Sequence, residues 1–363
     1  MARKRTVTRR PWESRPVRIA SAGVLVSSGL LGTYVGGYRS PRAWAQGPTQ
    51  CSTLVGDIST DDSLNAAILE INLGNCSILD LAGGITLDGD LTPINVANLT
   101  NLGVTSVTIE GDADDSTLSG DDSYAGFSFS GSLGSEFYVL VDGLTLQDFR
   151  SSGSGAAASV NVTDPIRFTV RNSVFSGNSS DDSGGAVSLI SPGDIKMYTD
   201  DTNAFSGNST TTGAGGAVYF NGGGTDIYMI SLYAEPTTFS NNVSTVGDGG
   251  AIASSSSLYV DSLEFSGNSA PLGDGGALHA TGEIRVRDSI FSNNEALRGG
   301  ALFTTAPVDS SDNSLSGNSA LAGPGGAVFG SDVTTYEASF VSNTSDDSAG
   351  TATPGGGAIY AST

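Results

Sequence analysis

The sequence predicts an all-β protein, a right-handed, single-stranded parallel β-helix (a solenoid) with a short helical cap on its N-terminal side. Three observations predict this fold: a Gly-Gly-Ala triplet that occurs seven times, a Phe-x-x-Asn motif before each copy, and short intervening segments in which apolar and polar residues alternate. Alternation with period two is typical of strands, and no amphipathic helix of useful length interrupts it. Coils of this kind bury their apolar faces only by stacking on one another.

The two motifs recur in step along the C-terminal half of the chain. The first occurs as Phe175-Ser-Gly-Asn178, Phe205-Ser-Gly-Asn208, Phe239-Ser-Asn-Asn242, Phe265-Ser-Gly-Asn268, Phe291-Ser-Asn-Asn294, Leu315-Ser-Gly-Asn318 and Phe340-Val-Ser-Asn343. The triplets that follow are Gly184-Gly185-Ala186, Gly215-Gly216-Ala217, Gly249-Gly250-Ala251, Gly275-Gly276-Ala277, Gly299-Gly300-Ala301, Gly325-Gly326-Ala327 and Gly356-Gly357-Ala358. Successive triplets lie 24 to 34 residues apart, which is too regular for chance.

Each motif position has a structural role in stacked coils of about three short strands. We expect the Phe side chains to form an inward aromatic stack, with coils about 4.8 Å apart. The Asn amide is expected at a turn, bonded to its own backbone and to the Asn of the next coil. The two glycines allow positive φ at a tight corner, and the small Ala allows close approach of the neighbouring backbone.

The strand pattern continues upstream of the motifs. Segments 85–91, 104–109 and 137–146 alternate in the same way, so we expect about eleven coils between Leu79 and Thr363, a rod of roughly 50 Å. Residues 61–71 predict one helix opened by an Asp or Ser cap, which would cover the first coil. The predicted division of the chain is therefore a signal peptide (1–45), an N-terminal cap with a disulfide (46–78) and β-helix repeats (79–363).

The first 45 residues predict an export signal. Nine of the 16 basic residues of the chain lie there, followed by an uncharged run from Ile19 to Tyr38 and by Ala43-Trp44-Ala45. That order is typical of a signal peptide cleaved after Ala45. The alternative is a retained membrane anchor, although the run is weakly hydrophobic. Arg9-Arg10 leaves twin-arginine export open as a minority route.

Charge and cysteine usage limit the classes of function. Beyond residue 45 the chain carries seven basic and 37 acidic residues, a surface that repels nucleic acid and anionic lipid. We therefore expect no nucleic-acid partner and no membrane span after signal cleavage. Cys51 and Cys76 are the two cysteines of the chain. In an oxidising compartment a disulfide closing this loop would contribute roughly 3 kcal/mol, whereas separate thiols are the alternative.

The paired motifs resemble the repeats of the chlamydial polymorphic outer membrane proteins and related bacterial surface β-helix proteins, over about residues 170 to 360. The resemblance implies a β-helical passenger displayed at the cell surface, associated with the outer membrane, and in several members adhesion. The segment with the two cysteines is similar to the helical cap of many secreted β-helix proteins. The chain departs from the family in stopping at Thr363 within a repeat, so we expect either a following β-barrel or a partner over the last coil.

The alternative to an adhesin is a polysaccharide lyase or hydrolase, a class that also uses this fold. A lyase needs an acidic Ca²⁺ cluster and a base. The acidic pairs are Asp61-Asp62, Asp114-Asp115, Asp121-Asp122, Asp181-Asp182, Asp200-Asp201 and Asp346-Asp347, and the candidate bases are Arg150, Arg167, Arg171, Lys196, Arg285, Arg287 and Arg298. The acidic pairs are explained as solvating loops, with adventitious Ca²⁺ as the only metal expected. Arg285 and Arg287 are expected to point outward on one strand beside Asp288.

No catalytic, cofactor-binding or metal-binding residue is predicted. Asp182-Ser183-Gly184-Gly185 matches part of a serine protease signature, but the single histidine, His279, lies in another repeat. The segment 222–226 matches a calcium-binding nonapeptide only once. An enzyme would need a groove lined with aromatics such as Tyr219, Tyr228 and Tyr233. The leading hypothesis is a surface protein that binds a host, matrix or glycan surface, with a purely structural coat as a third possibility.

Overall fold

Short parallel strands stack coil upon coil in the computed structural model, which describes residues 49–111, 116–200, 202–223, 226–232, 236–346 and 357–362. The predicted signal peptide lies outside these residues. The described residues contain three ten-stranded sheets and one eight-stranded sheet, and all strand pairs are parallel. The predicted all-β parallel solenoid is confirmed. A sheet of ten strands has nine axial steps, which span about 43 Å. The number of turns is thus somewhat smaller than the eleven coils expected.

The chain passes through the sheets in the order A, B, D, C in each complete coil. Sheet A contains Ile78–Leu81, Ser106–Gly111, Phe137–Asp142, Ile166–Arg171, Ile195–Asp200, Ile227–Ser231, Leu258–Asp261, Ile284–Arg287, Val308–Ser311 and Val333–Tyr336. Sheet B contains Ile85–Thr86, Thr117–Ser119, Thr145–Gln147, Val174–Ser176, Ala204–Ser206, Thr237–Ser240, Leu263–Ser266, Ile290–Ser292, Ser314–Ser316 and Ser339–Val341.

Sheet C follows the glycine triplets, and sheet D is made of two-residue strands. Sheet C contains Ile94–Asn95, Phe127–Gly131, Ala158–Val162, Val187–Ser191, Val218–Gly222, Ile252–Ser254, Leu278–Ala280, Leu302–Phe303, Val328–Gly330 and Ile359–Ala361. Sheet D contains Arg150–Ser151, Ser179–Ser180, Ser209–Thr210, Val243–Ser244, Ser269–Ala270, Glu295–Ala296, Ser319–Ala320 and Thr344–Ser345. The expected three strands per coil are thus four from residue 150 onward, because two-residue strands carry no visible alternation.

Single residues with positive φ turn the chain between sheets. Ser262 (φ 59°) and Asp288 (φ 48°) separate sheet A from sheet B, so each apparently continuous alternating segment there is two strands. The third position of the Phe-x-x-Asn motif, such as Gly207 (φ 62°) or Asn241 (φ 54°), turns the chain from sheet B to sheet D. Gly, Asn and Asp occupy most of these corners because they tolerate the left-handed region best, and Ser262 is an exception.

The Phe and Asn positions of the motif form two continuous rows inside the rod. The rings of Phe205 and Phe239 lie 4.6 Å apart and nearly parallel, and those of Phe239 and Phe265 lie 5.1 Å apart. The Asn242 amide donates to the Asn268 side-chain oxygen (2.9 Å) and to the Phe205 carbonyl (3.0 Å). The expected contact between neighbouring Asn side chains is present. The amide bonds the backbone of the preceding coil, however, and not its own.

The two glycines of a triplet have different roles. Gly249 is needed both for its φ of 68°, which favours glycine, and for space, because a Cβ there would lie 2.3 Å from the Ile252 carbonyl oxygen. Gly250 is needed for space, because a Cβ there would lie 2.1 Å from the carbonyl oxygen of Gly276 in the next coil. The buried Ala251 then continues the ladder, donating its N–H to the Ala277 carbonyl (3.1 Å). We expected positive φ at both glycines of the triplet, but Gly249 has it and Gly250 does not.

A helical cap covers the first coil. It consists of α1 (Ser52–Val55), α2 (Asp61–Asn72) and, one coil later, the 3-10 helix Val96–Leu102. The α2 helix buries Leu64, Ala67, Ile68 and Ile71 against the first strands. Its N-cap is Thr60, in a reciprocal capping box with Ser63, and not an Asp or Ser. Cys51 and Cys76 form a disulfide with a Cα–Cα distance of 5.2 Å.

Candidate binding face on sheet A

The outward faces of sheets A and B differ in chemistry although they belong to the same coils. Sheet B presents a row of serines in register, which we call the serine row: Ser176, Ser206, Ser240, Ser266, Ser292 and Ser316. Sheet A carries five of the seven basic residues beyond residue 45, namely Arg167, Arg171, Lys196, Arg285 and Arg287. It also carries five tyrosines, Tyr138, Tyr198, Tyr228, Tyr259 and Tyr336.

Strand register brings six of these side chains into one straight row, which we call the axial row. From the N-terminal side it contains Tyr138, Arg167, Lys196, Tyr228, Tyr259 and Arg285. One side chain comes from each coil, so the row spans five strand steps, about 24 Å. A second row, two residues further along each strand, contains Tyr198 and Arg287. These are outward positions, because their neighbours along each strand are buried.

At the N-terminal end of the axial row, Arg167 packs between two tyrosines. Its guanidinium carbon lies 5.3 Å from the ring centroid of Tyr138 and 5.4 Å from that of Tyr198, within cation–π range. Its Nε lies 3.8 Å from the Glu136 carboxylate. The Tyr138 hydroxyl donates to the same carboxylate, and this hydrogen bond, with burial, raises the pKa of Tyr138. Two rings and one cation are therefore held in place together.

At the C-terminal end, two tyrosines adjoin two paired arginines. The rings of Tyr228 and Tyr259 lie 5.7 Å apart at 49°. Arg285 donates from Nε and Nη2 to both oxygens of Glu283, at 2.9 and 2.7 Å. Arg287 donates to Asp261, the carboxylate to which the Tyr259 hydroxyl also donates (3.4 Å).

The pairs set the protonation states of this end of the face. Hydrogen bonding to Glu283 raises the pKa of Arg285, and hydrogen bonding to Asp261 raises that of Arg287. Burial, reinforced by the Asp261 carboxylate, raises the pKa of the Tyr259 hydroxyl. Both arginines therefore stay charged and the tyrosine stays neutral through the physiological pH range. The face presents fixed donors, fixed acceptors and aromatic rings, a set that suits hydroxyl-rich ligands.

The remaining predicted bases lie apart from this row. Arg171 pairs with Asp142 at the end of its sheet A strand, Arg150 lies on sheet D 3.3 Å from Asp181, and Arg298 donates to Asp274 from a corner before sheet C. The seven bases predicted as candidates thus divide among three surfaces.

The acidic pairs are dispersed over the rod. Asp61 opens α2, and burial together with a hydrogen bond to Asp88 raises its pKa to about 6. Asp121 and Asp122 form a corner with φ of 52° and 54°. Asp114-Asp115, Asp201 and Asp347 lie outside the described residues. Among the described residues no group of three or more His, Cys, Asp or Glu side chains could hold a metal ion.

The partial motif matches are not assembled into sites. Ser183 and His279 are three coils apart, and the Ser183 hydroxyl contacts Asp182 and accepts from the Ala214 N–H. Tyr219 lies on sheet C whereas Tyr228 lies on sheet A, so they do not line one groove. Tyr233 and two residues of the segment 222–226 lie outside the described residues.

A second aromatic stack, which sequence reasoning missed, lies on the outer face of sheet C. The rings of His279, Phe303, Phe329 and Tyr360 follow one another at 5.7, 4.6 and 5.1 Å. The glycine corners cover this stack, since a Cβ on Gly299 would lie 3.0 Å from the Phe303 Cβ. The Arg298 guanidinium lies 4.6 Å from the Phe303 ring. Regular spacing of Phe303 and Phe329 was the only sequence signal for it.

These features define a class: a parallel β-helix protein with a uniform interior and one outward face rich in tyrosine and paired charges. The family model of the Chlamydia polymorphic membrane protein repeat matches residues 172–189, 236–255 and 262–281. The chain is thus a parallel β-helix protein that carries repeats of the polymorphic membrane protein type, a combination that suggests a surface-exposed, passenger-like protein. No curated protein and no solved structure matches the chain. Within the described residues, no helix is both long and apolar enough to span a membrane.

Proposed function

We propose that this protein is a secreted or surface-displayed β-helical adhesin whose contact surface is the outer face of sheet A. The observation that carries the proposal is the axial row, which gathers tyrosines and paired cations on one face of an otherwise acidic rod. The repeat family supports display at a cell surface. Host cells, matrix proteins and glycans are the partners that such a face would meet.

The geometry favours many weak contacts over one deep site. Each coil adds one or two outward side chains at the same axial interval, and contacts repeated along a rod strengthen one another once the first has formed. An adhesin built in this way needs no catalytic group. It also needs no cofactor.

Binding of the purified protein to cells, matrix proteins and a glycan array tests the proposal. We expect binding above background, and a loss of at least tenfold in the double variant Tyr228→Ala/Tyr259→Ala. The matched control is Ser240→Ala/Ser266→Ala, which changes the serine row in the same two coils. Background binding by the unaltered protein, or equal losses in both variants, would contradict the proposal.

Export is the second part of the proposal. The basic stretch, the uncharged run and Ala43-Trp44-Ala45 support cleavage after Ala45. Mass spectrometry of the N-terminus of the protein recovered from outside the cytoplasm should give a chain that begins at Gln46. An intact N-terminus on recovered material would instead support a retained anchor.

A polysaccharide lyase or hydrolase is the second candidate. The observation in its favour is the placement of Arg287 beside Asp261, with Arg285, Tyr228 and Tyr259 on the same face. Release of reducing ends or unsaturated products from a polysaccharide panel would establish it. A protein that neither binds nor cleaves any of these materials would be a structural coat.

A further inference from the structure

We infer that the axial row takes a neutral polysaccharide chain that lies along the axis of the rod, with about one sugar ring per coil. The inference rests on the proposed function and names the class of ligand for the same face. Three properties of the row carry it: its axial repeat, its aromatic rings and its balanced charge.

The axial repeat matches the ligand in length. Successive side chains of the row are separated by one strand spacing, about 4.8 Å, which is close to the length of one pyranose ring in an extended chain. A sugar chain laid along the row would therefore meet one new side chain per ring, from Tyr138 to Arg285. A chain laid across the coils would instead meet a corner after two or three residues.

The rings are held in place before a ligand arrives. The hydroxyls of Tyr138 and Tyr259 each donate to a carboxylate, Glu136 and Asp261. Tyr228 and Tyr259 are half-buried and support each other at 5.7 Å. Ordered aromatic side chains lose little conformational entropy on binding and offer apolar area to the C–H faces of sugars.

The charge of the row favours a neutral chain over an acidic one. Each arginine of the row has a carboxylate nearby, at Glu136 for Arg167 and at Glu283 for Arg285, and Lys196 lies 3.9 Å from Asp194. A carboxylate therefore lies within 4 Å of each cation of the row. The excess of acidic residues over the rod repels a polyanion. Paired guanidinium and carboxylate groups offer donors and acceptors side by side, as vicinal hydroxyls require.

The sheet B face of the same coils lacks this combination. Its serine row has hydroxyls at the same axial repeat but no rings and no paired charges. If axial repeat alone were sufficient, both faces would bind equally. The control variant on sheet B therefore separates the contribution of the rings from that of the repeat.

The test is titration calorimetry on the full chain with defined oligosaccharides. The probes are hexamers and dimers of β-1,4-linked glucose, β-1,4-linked N-acetylglucosamine and α-1,4-linked glucose, with hexagalacturonate as the acidic probe of equal length. We expect at least one neutral hexamer to bind tenfold or more tightly than its dimer, and more tightly than hexagalacturonate. Tyr228→Ala/Tyr259→Ala should weaken that binding roughly tenfold or more, as expected for the loss of two aromatic contacts, and Ser240→Ala/Ser266→Ala should not.

Several outcomes would overturn the inference. They are tighter binding of hexagalacturonate, equal binding of dimer and hexamer, equal effects of the two double variants, or no binding of any neutral hexamer. The proposed function fails separately, when the unaltered protein does not adhere to cells, matrix or glycans. Adhesion that depends on Tyr228 and Tyr259 but shows no neutral-hexamer binding would retain the adhesin and reject this ligand class, in favour of a protein partner.

Discussion

The inward Phe row of sheet B and the outward axial row of sheet A lie on the same coils but differ in how much their side chains vary. Inside, the first motif position is Phe in six of seven consecutive coils and Leu315 in the remaining one. Outside, the axial row changes from Tyr138 to Arg167, Lys196 and then Tyr228. The backbone register is equally regular in both. The difference teaches that stacking requires identical side chains only where they must fill a shared, closed space.

The largest expected effect is on the inner side of this comparison. Phe239→Ala removes a ring that stacks on Phe205 and Phe265 at 4.6 and 5.1 Å, and the free energy of unfolding should fall by about 3–5 kcal/mol. Tyr259→Ala, on the outer face, should change it by about 1 kcal/mol or less. Urea denaturation of both variants measures the difference, and comparable losses would remove the distinction between the two rows.

The Asn row gives the next largest effect. Asn242→Ala leaves the Asn208 amide and N–H without their shared acceptor, and we expect a loss of about 2–4 kcal/mol, since each buried unpaired group costs about 1–3 kcal/mol. The adjacent corner residue Asn241 is exposed with φ 54°, so Asn241→Gly should have little effect. Similar losses in the two neighbours would show that corner geometry, not the amide row, determines stability.

A smaller effect is expected at the glycine triplet. Gly250→Ala places a Cβ 2.1 Å from the Gly276 carbonyl oxygen, and displacing the neighbouring coil should cost about 1–3 kcal/mol. Gly207→Asn is the control, because no atom lies within 4 Å of a Cβ there and Asn241 occupies the equivalent corner. A lower melting temperature for Gly207→Asn than for Gly250→Ala would contradict the conclusion that Gly250 is required for space and Gly207 for its positive φ.

The smallest effect concerns pH and the outer stack of sheet C. Burial lowers the pKa of His279, although Asp248 and Asp274 act in the opposite direction. The folded state thus favours neutral imidazole. This contribution to stability is complete above the ordinary histidine pKa of about 6.5 and is lost as pH falls through the lower folded value. His279→Phe, which places at this position the ring type found at Phe303, should reduce the change in stability between pH 7 and 5. An unchanged pH dependence would assign that change to other groups.

Sequence alone predicted the interior because a structural requirement that recurs in every coil selects the same residue type in every coil. The Phe row, the Asn contacts and the need for glycine at the corner all follow from the motif. The axial row was not predictable, since Tyr138, Arg167, Lys196, Tyr228, Tyr259 and Arg285 are separated by 29, 29, 32, 31 and 26 residues. Aligning such positions requires knowing where each corner lies. A serine such as Ser262 does not identify a corner by its residue type. Sheet D was missed because two residues cannot show a period.

The hydrogen bonds between successive coils run along the axis of the rod, so tension applied from end to end loads them one coil at a time. With 24 to 34 residues between triplets, each coil that detaches would release roughly 80–115 Å of extended chain. A tether of this kind lengthens in steps under flow and dissipates energy at each step, while the remaining coils keep their shape. Single-molecule stretching should therefore give a sawtooth record whose spacing reports the length of each coil.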